Sequence, residues 1–281
     1  MKRRYLILDS NYLCHRAKHV FGELSDKGSA TGVVYGFLKD ILILRERFDT
    51  DRFIFCWDYG YNLRCEVYPK YKQNRKPKDY SKDEQEFEDA FQLQVNQLRE
   101  IYLNTIGYKN IFYQEGYESD DVIAKACETL VPDLEEGIII TADKDLLQLI
   151  RKNIKWYNPR TKELMSRVKF TKTYGISPRK WAKVKAIAGC TSDNVKGIEG
   201  VGDKTALQYL KGDLKKTTKA YKNIKDGWKS VVLRNRPLVE LPYKGTKPVR
   251  LVEDKVTQSG WDKVTKTLGM RNIRYTKINA I

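Results

Sequence analysis

The sequence predicts an α/β fold with a mostly parallel central sheet. Three short apolar runs indicate its strands: RYLILD (4–9), FIFCWD (53–58) and GIIITAD (137–143). Segments with helical periodicity lie between these runs, and this alternation is typical of parallel sheets. The first such segment, GVVYGFLKDILILRERF (32–48), predicts a crossover helix. Because each run ends in an aspartate, the sheet should deliver several carboxylates to one edge.

The composition fits a globular protein with a polyanionic partner. Of 281 residues, 41% are hydrophobic, which is enough for a sizeable core in one large domain or a domain with an appendage. The formal net charge is +17, and residues 203–281 alone hold 19 Lys/Arg against 7 Asp/Glu. Such a basic excess favours nucleic acid as the first candidate partner and a membrane surface as the second.

Several protein classes are disfavoured. The apolar run near the start is interrupted at Asp9, which is too early for a signal peptide, and no run is long enough to span a membrane. The five cysteines are scattered without a CxxC pair, so neither a zinc site nor a disulfide framework is indicated. A reducing, cytoplasmic compartment is the simplest expectation.

The segment from residue 59 to 107 combines a polar, basic stretch with a long helix. NLRCEVYPKYKQNRKPKDY has little apolar periodicity and six basic residues. The helix is predicted over 81–107, where Ser81 and Glu84 have the spacing of a capping box. We expect residues 68–95 to stand partly away from the core, although an ordinary charged surface loop has the same composition.

Acidic residues gather where the predicted strands end. GYESDDVIA places three carboxylates within four residues, and TADKDLLQLI adds two more. Carboxylates held this close raise each other's pKa unless a cation lies among them, and Mg²⁺ prefers oxygen ligands. Surface ion pairs with the abundant Lys and Arg would not explain why the acids collect at strand ends. The predicted ligands are Asp9, Asp58, Glu118, Asp120, Asp121, Asp143 and Asp145.

A glycine-rich turn precedes another predicted helix. GIEGVGDKTA has glycines at 197, 200 and 202, followed by Lys204 and Thr205. Its backbone N–H groups could bind phosphates at the helix N-terminus, although a plain turn has the same pattern. The P-loop spacing is absent, so a nucleoside triphosphate site is disfavoured. Further on, RNRPLVELP (234–242) predicts an extended stretch.

Five motifs in order resemble those of the structure-specific 5′-nuclease family: LILDSNYLCHRA, WDYGYNLRCEVYPKYKQNRK, GYESDDVIA, TADKDLLQL and GCTSDNVKGIEGVGDKTA. This family includes flap endonucleases, phage 5′-exonucleases and ribonucleases H, and the 5′-nuclease domain of bacterial DNA polymerase I. The resemblance covers about residues 4–210. It implies a PIN-like nuclease core at 1–175 with a helical arch at about 68–95. It also implies a helix-hairpin-helix (H3TH) module within a basic DNA-binding region at 176–281.

The resemblance also implies roles for individual residues. It implies two Mg²⁺ ions, or two Mn²⁺ ions in their place, held by the seven acids above and by Asp193. Lys72 matches the arch lysine that approaches the scissile phosphate, with Arg75 beside it, and K⁺ assists the glycine turn in some members. The nucleic-acid-binding candidates are Arg16, Arg64, Tyr71, Gly197, Gly200, Gly202, Lys204 and Thr205.

One position departs from the family pattern. The family usually has Gly-Asp-x-x-Asp-Asn where this chain has GCTSDN, so Cys190 stands in place of an acidic ligand. A neutral thiol is a poor ligand for Mg²⁺. We expect activity to persist but to need more metal.

The expected function is metal-dependent 5′-3′ exonuclease and flap endonuclease activity on branched, nicked or RNA-primed duplex DNA. The expected role is primer and flap removal in replication, with RNA–DNA hybrid as a further substrate. We expect a cytoplasmic monomer, in the host cytoplasm if phage-encoded, with a single-strand-binding protein or clamp as further partners to consider. Two alternatives remain open: a PIN-type ribonuclease acting on single-stranded RNA, and a non-catalytic binder of branched DNA.

Overall fold

The computed structural model describes residues 2–75 and 80–275, so residues 76–79 of the predicted arch lie outside the described residues. A six-stranded sheet forms the centre, in the order β5-β4-β1-β6-β7-β8, and it is parallel except for β8. The strands are β1 (Arg3–Asp9), β2 (Ser25–Asp26), β3 (Ser29–Ala30), β4 (Phe53–Cys56), β5 (Ile111–Phe112), β6 (Glu135–Ile140), β7 (Ile154–Asn158), β8 (Glu163–Met165), β9 (Gly189–Cys190) and β10 (Val195–Lys196).

Helices cover the sheet and are the main regular elements in the described second half of the chain. They are α1 (Ser10–Phe21), α2 (Gly32–Phe48), α3 (Arg64–Val67), α4 (Lys82–Gln97), α5 (Leu103–Ile106), α6 (Ser119–Thr129), α7 (Arg167–Tyr174), α8 (Trp181–Ala188), α9 (Asp203–Lys211), α10 (Lys219–Asp226), α11 (Leu233–Val239) and α12 (Gln258–Thr267). Within the described ranges, no helix combines the length and the apolar character that a bilayer span requires.

The predicted α/β class and its three strands are confirmed. The runs 4–9, 53–58 and 137–143 form β1, β4 and β6, which lie side by side in the sheet. Two of these strands end before their aspartate, so Asp58 and Asp143 lie in the loops just beyond β4 and β6. Because parallel strands share their direction, all three carboxyl ends meet at one edge of the sheet.

The helix predictions also hold in the described chain. The crossover helix α2 covers the predicted 32–48. The capping box at Ser81 is present, with Glu84 N donating to Ser81 Oγ over 3.3 Å and Ser81 N donating to Glu84 Oε2 over 2.9 Å. A π turn at Leu98–Tyr102 joins α4 to α5, which ends at Gly107 with φ +111.

Successive side chains of a strand point to opposite faces of the sheet, and they pack in two apolar clusters, one on each face. On one face, Ile7 packs with Ile123 of α6 and Ile187 of α8. On the other face, Leu8 packs with Phe37 of α2, and α12 lies against the same cluster. Both clusters therefore draw on helices from the second half of the chain, and this packing fixes α8 against the sheet.

The extended stretch predicted at 234–242 is wrong, because Leu233–Val239 is helical and only the residues after it are extended. The side-chain amide of Asn235 is fully buried and donates to the carbonyls of Ala186 (3.0 Å) and Lys196 (2.9 Å). Leu238 is also buried in the core. Tertiary packing therefore overrides the low helix propensity of the Pro237 segment.

Candidate active site

Asp9 lies at the carboxyl end of β1 and caps α1. Its Oδ1 accepts from Tyr12 N (3.2 Å) and from Ser119 Oγ (3.3 Å), while its Oδ2 accepts from Thr141 Oγ1 (2.9 Å). The residue is only 7% exposed. Burial and the neighbouring charge of Asp58 raise the pKa of Asp9 to about 7. Asp9 is thus held rigidly in a crevice that contains excess negative charge.

Asp58 joins Asp9 through the first turn of α6. Its Oδ1 accepts from Ser119 N over 2.7 Å, and its own backbone N–H donates to Asn11 Oδ1 over 2.9 Å. Ser119 therefore bridges the two carboxylates, using its amide for one and its hydroxyl for the other. Sequence reasoning missed Ser119, and its place inside ESDD between two acids was the one available signal.

Glu118, at the N-terminus of α6, is the most strongly paired acid of the crevice. Tyr71 Oη donates to its Oε2 over 2.8 Å, Lys72 Nζ contacts its Oε1, and Arg64 Nη1 lies 3.2 Å from its Oε2. Burial raises the pKa of Glu118, but Lys72 and Arg64 outweigh burial, so its pKa is lowered. Glu118 is therefore ionised and partly neutralised before any cation binds.

Arg64 is not available to nucleic acid, and that sequence-based assignment is wrong. Its side chain is 1% exposed and donates to both oxygens of Asp121, over 2.6 and 2.8 Å. Its Nε donates to the carbonyl of Leu238 over 3.1 Å. Buried charges of this kind need a matched partner, and Asp121 supplies it. Arg64 is therefore a structural residue.

Two further assignments change for the same reason. Asp121 is fully buried, and its oxygens accept from Arg64 and from Tyr243 N (2.7 Å), so we withdraw it from the set of predicted ligands. Tyr71 is 4% exposed and orients Glu118, so its position does not support direct contact with nucleic acid. Glu118 and Asp121 of the ESDD motif thus have different roles: Glu118 lines the crevice, and Asp121 is buried against Arg64.

Asp120 belongs to the crevice. It is half-buried on the first turn of α6. Burial, followed by the charges of Asp143, Asp9 and Glu118, raises its pKa well above the usual range. Asp120 therefore lies close enough to the carboxylates of Asp143, Asp9 and Glu118 for their negative charges to repel its own.

A second acidic group lies on the β6 side of the crevice. Asp143 Oδ1 accepts from Asp145 N over 2.7 Å. The ligand atoms of Asp145, Cys190 and Asp193 all lie within 4.8 Å of one another. Burial and the charge of Asp143 raise the pKa of Asp145 to about 6, although Lys185 Nζ lies 3.1 Å from it. Sequence reasoning missed Lys185, which lies in a helix of ordinary composition.

Cys190 occupies the centre of this second group. Its Sγ lies 3.7 Å from Asp145 Oδ2 and 3.4 Å from Asp193 Oδ2. Burial and these two carboxylates raise the pKa of the Cys190 thiol to about 12. The thiol is therefore neutral, and it stands where a third carboxylate would complete the group.

The segment with Lys72 and Arg75 connects the two acidic groups. Lys72 adopts φ +51, and its backbone N–H donates to the carbonyl of Asp193 over 2.9 Å. Its Nζ contacts Glu118 and lies 3.8 Å from Asp193. Arg75 Nη2 lies 2.8 Å from the Asp193 carboxylate. Both cations therefore lie at the crevice.

The glycine turn lies between β10 and α9. At Gly197, a Cβ atom would lie 2.1 Å from the carbonyl of Ala188, so only glycine allows this close approach. Gly200 adopts φ +73, which favours glycine. Gly202 is exposed and caps α9 in an extended conformation. No side chain caps the N-terminus of α9, because the N-cap residue is Gly202.

The remaining predicted contacts lie at the surface. Lys204 is exposed and Thr205 is half-buried on the first turn of α9. Arg16, on α1, is 35% exposed and pairs with Asp40 over 2.6 Å. These three side chains are therefore at least partly exposed to solvent.

The comparisons identify the family. A family model described as 5′-3′ exonuclease, N-terminal resolvase-like domain, matches residues 4–175. The 5′-3′ exonuclease of Aquifex aeolicus is 33% identical over 212 residues, which cover 75% of this chain and 70% of that protein. The thermostable DNA polymerase I of Thermus aquaticus is 31% identical over 247 residues, 86% of this chain but only 28% of the polymerase.

A solved structure has the same fold. The bacteriophage T5 flap endonuclease, in a pseudo-enzyme–product complex with DNA and metal ions, superposes with a TM-score of 0.72 at 21% identity, covering 85% of this chain and 90% of that chain. Given the match of residues 4–175 and the Aquifex relative, this chain belongs to the 5′-3′ exonuclease family, with its N-terminal resolvase-like domain.

Proposed function

We propose that this protein is a metal-dependent 5′-3′ exonuclease and flap endonuclease. One observation carries the proposal: acids at or just beyond the ends of β1, β4 and β6, at the start of α6 and in the 3-10 turn 191–193 lie around one crevice beside Lys72 and Arg75. Membership of the 5′-3′ exonuclease family supports the same proposed function. The proposed ligands, directly or through water, are Asp9, Asp58, Glu118, Asp120, Asp143, Asp145 and Asp193.

The side chains of the crevice fit divalent cations. The donors are mainly carboxylate oxygens, and burial together with neighbouring carboxylates raises the pKa values of Asp9, Asp120 and Asp145. Hard divalent ions satisfy such a donor set, and we propose two Mg²⁺ ions, with Mn²⁺ as a substitute. When bound, such ions supply charge stabilisation to a phosphodiester and lower the pKa of water.

The cationic side chains assist at the reacting phosphate. Lys72 lies between Glu118 and Asp193, and Arg75 lies beside Asp193, so both can stabilise negative charge that develops there. Tyr71 and Arg64 hold Glu118 in place from the protein side. Ser119 fixes Asp9 relative to Asp58. These contacts preorganise the crevice before substrate arrives.

Duplex contacts are assigned to the surface away from the crevice. The turn at Gly197, Gly200 and Gly202, with Lys204 and Thr205, offers backbone amides and one cation to a phosphate backbone, with K⁺ as a further proposed ligand. Arg16 is proposed to contact the 5′ strand. We propose branched, nicked or RNA-primed duplex DNA as substrate, primer and flap removal as the role, and a monomer acting in the cytoplasm.

Cleavage of a 5′-labelled DNA flap in the presence of Mg²⁺ tests the function. We expect small labelled products from the flap junction and 5′ end, and none after chelation of the metal. A PIN-type ribonuclease would instead degrade plain single-stranded RNA, and a non-catalytic binder would retard the flap without cutting it. Either of these outcomes would reject the proposed activity.

Replacing Lys72 by methionine should reduce the cleavage rate by about 100-fold, because one cation facing the developing charge is lost. Glu118 keeps its contacts with Arg64 and Tyr71, so the protein should fold normally. Single-turnover cleavage of the flap measures the effect. Lys263→Met, an exposed change on α12, serves as the control. Equal rates for both variants would exclude Lys72 from the reaction.

Replacing Cys190 by aspartate should lower the Mg²⁺ concentration for half-maximal cleavage by about fivefold. The change places a third carboxylate between Asp145 and Asp193, and Mg²⁺ prefers oxygen to sulfur. A Mg²⁺ titration of the cleavage rate measures it. Cys190→Ser, which adds oxygen without charge, should lie between the two. An unchanged Mg²⁺ requirement in Cys190→Asp would contradict the weak-ligand interpretation.

A further inference from the structure

A basic groove lies at the sheet edge opposite the acidic crevice. It has a volume of about 590 Å³ and is lined by Arg151, Lys152, Lys155, Ser166, Arg167, Val168, Thr171 and Lys172. The first three residues precede or begin β7, and the others cap or form α7. Because the carboxyl end of β7 faces the crevice, this groove is at the far end of the sheet. The proposed nuclease function does not use it.

The charges of the groove are only partly compensated. Lys152 pairs with Asp133 over 3.1 Å, and Lys155 pairs with Glu136 over 2.7 Å. Within the described ranges, Arg167 and Lys172 form no ion pair, and both are exposed. The groove therefore presents at least two free cations to solvent and has no acidic residue in its described lining.

An apolar side chain lies among these cations. Val168 is 80% exposed, which leaves nearly all of its surface in water. Thr171 lies one helical turn further along the same face of α7 and contributes a methyl group. The guanidinium group of Arg151, which also lines the groove, donates to the carbonyl of Cys127. The groove thus combines several basic side chains with one exposed apolar side chain.

We propose that this groove binds an acidic peptide segment of a partner protein, with an apolar side chain of the segment seated on Val168. Charge complementarity favours an acidic partner, and the exposed Val168 favours a partner with an aliphatic or aromatic residue beside its acidic residues. Single-stranded nucleic acid is disfavoured, because strand-binding grooves stack bases on aromatic side chains and the described lining has none.

Fluorescence anisotropy tests the proposal with a labelled peptide that has a run of aspartates followed by two leucines. We expect saturable binding that weakens about threefold or more when serines replace the leucines. The double change Arg167→Glu and Lys172→Glu should weaken binding roughly tenfold. Val168→Ser should bind the leucine peptide as weakly as the parent protein binds the serine peptide, because it removes the apolar contact.

Lys263→Glu is the matched charge-reversal control, because it changes an exposed lysine on α12 outside the groove. Flap cleavage by all groove variants should equal that of the parent, which shows that they are folded and separates this proposal from the nuclease function. The proposal is overturned if the peptide does not bind or the leucines make no difference. It is also overturned if Lys263→Glu weakens binding equally, or if the groove variants lose duplex affinity instead.

Discussion

Replacing Asp143 by asparagine should reduce flap cleavage by about 1000-fold, which corresponds to roughly 4 kcal/mol of lost transition-state stabilisation. Asp143 lies just beyond β6, is exposed in the crevice and contributes to the raised pKa values of Asp9, Asp120 and Asp145. Its carboxylate accepts one protein hydrogen bond, from Asp145 N. Asparagine can accept the same bond, so the change removes charge while preserving local structure.

The measurements are single-turnover cleavage at saturating Mg²⁺ and thermal unfolding of both proteins without metal. The melting temperature of Asp143→Asn should equal or exceed that of the parent, because one source of repulsion in the crevice is removed. Asp133→Asn, at an exposed position paired with Lys152, is the control and should cleave at the parent rate. If Asp143→Asn cleaves as fast as this control, the carboxylate crevice is not the catalytic centre.

Much of this site could be predicted because the geometry of parallel sheets is strict. Asp9, Asp58 and Asp143 follow apolar runs that could be recognised from the sequence, and neighbouring parallel strands bring their ends together. Lys72 and Arg75 were predicted from the resemblance of their motif to the family. In the structure, Lys72 lies beside Glu118 and Arg75 lies beside Asp193. The position of a side chain can be predicted where a local sequence pattern determines it.

The roles within ESDD could not be predicted in this way. Glu118 and Asp121 are three residues apart and share a helix face, yet Glu118 lines the crevice and Asp121 pairs with Arg64 in the interior. The deciding partner is 57 residues from Asp121 in sequence and lies in a stretch that looks solvent-exposed. Long-range pairing of buried charges has no local signature, so it was visible only in the fold.

Arg64→Met should lower the free energy of unfolding by about 3–5 kcal/mol, because it leaves the Asp121 carboxylate buried without its partner. Methionine fills much of the arginine volume, so loss of charge pairing dominates over loss of packing. Urea denaturation followed by circular dichroism measures the change. Arg236→Met removes an exposed pair with Glu240 and should leave the free energy of unfolding almost unchanged, because solvent screens such a pair.

The double variant Arg64→Met and Asp121→Asn separates charge pairing from packing. Asparagine keeps a carbonyl oxygen that can accept from Tyr243 N, and it removes the unpaired charge, so it should restore more than half of the lost stability. No recovery in the double variant would mean that Arg64 stabilises the fold by packing and by its bond to Leu238 rather than by pairing with Asp121.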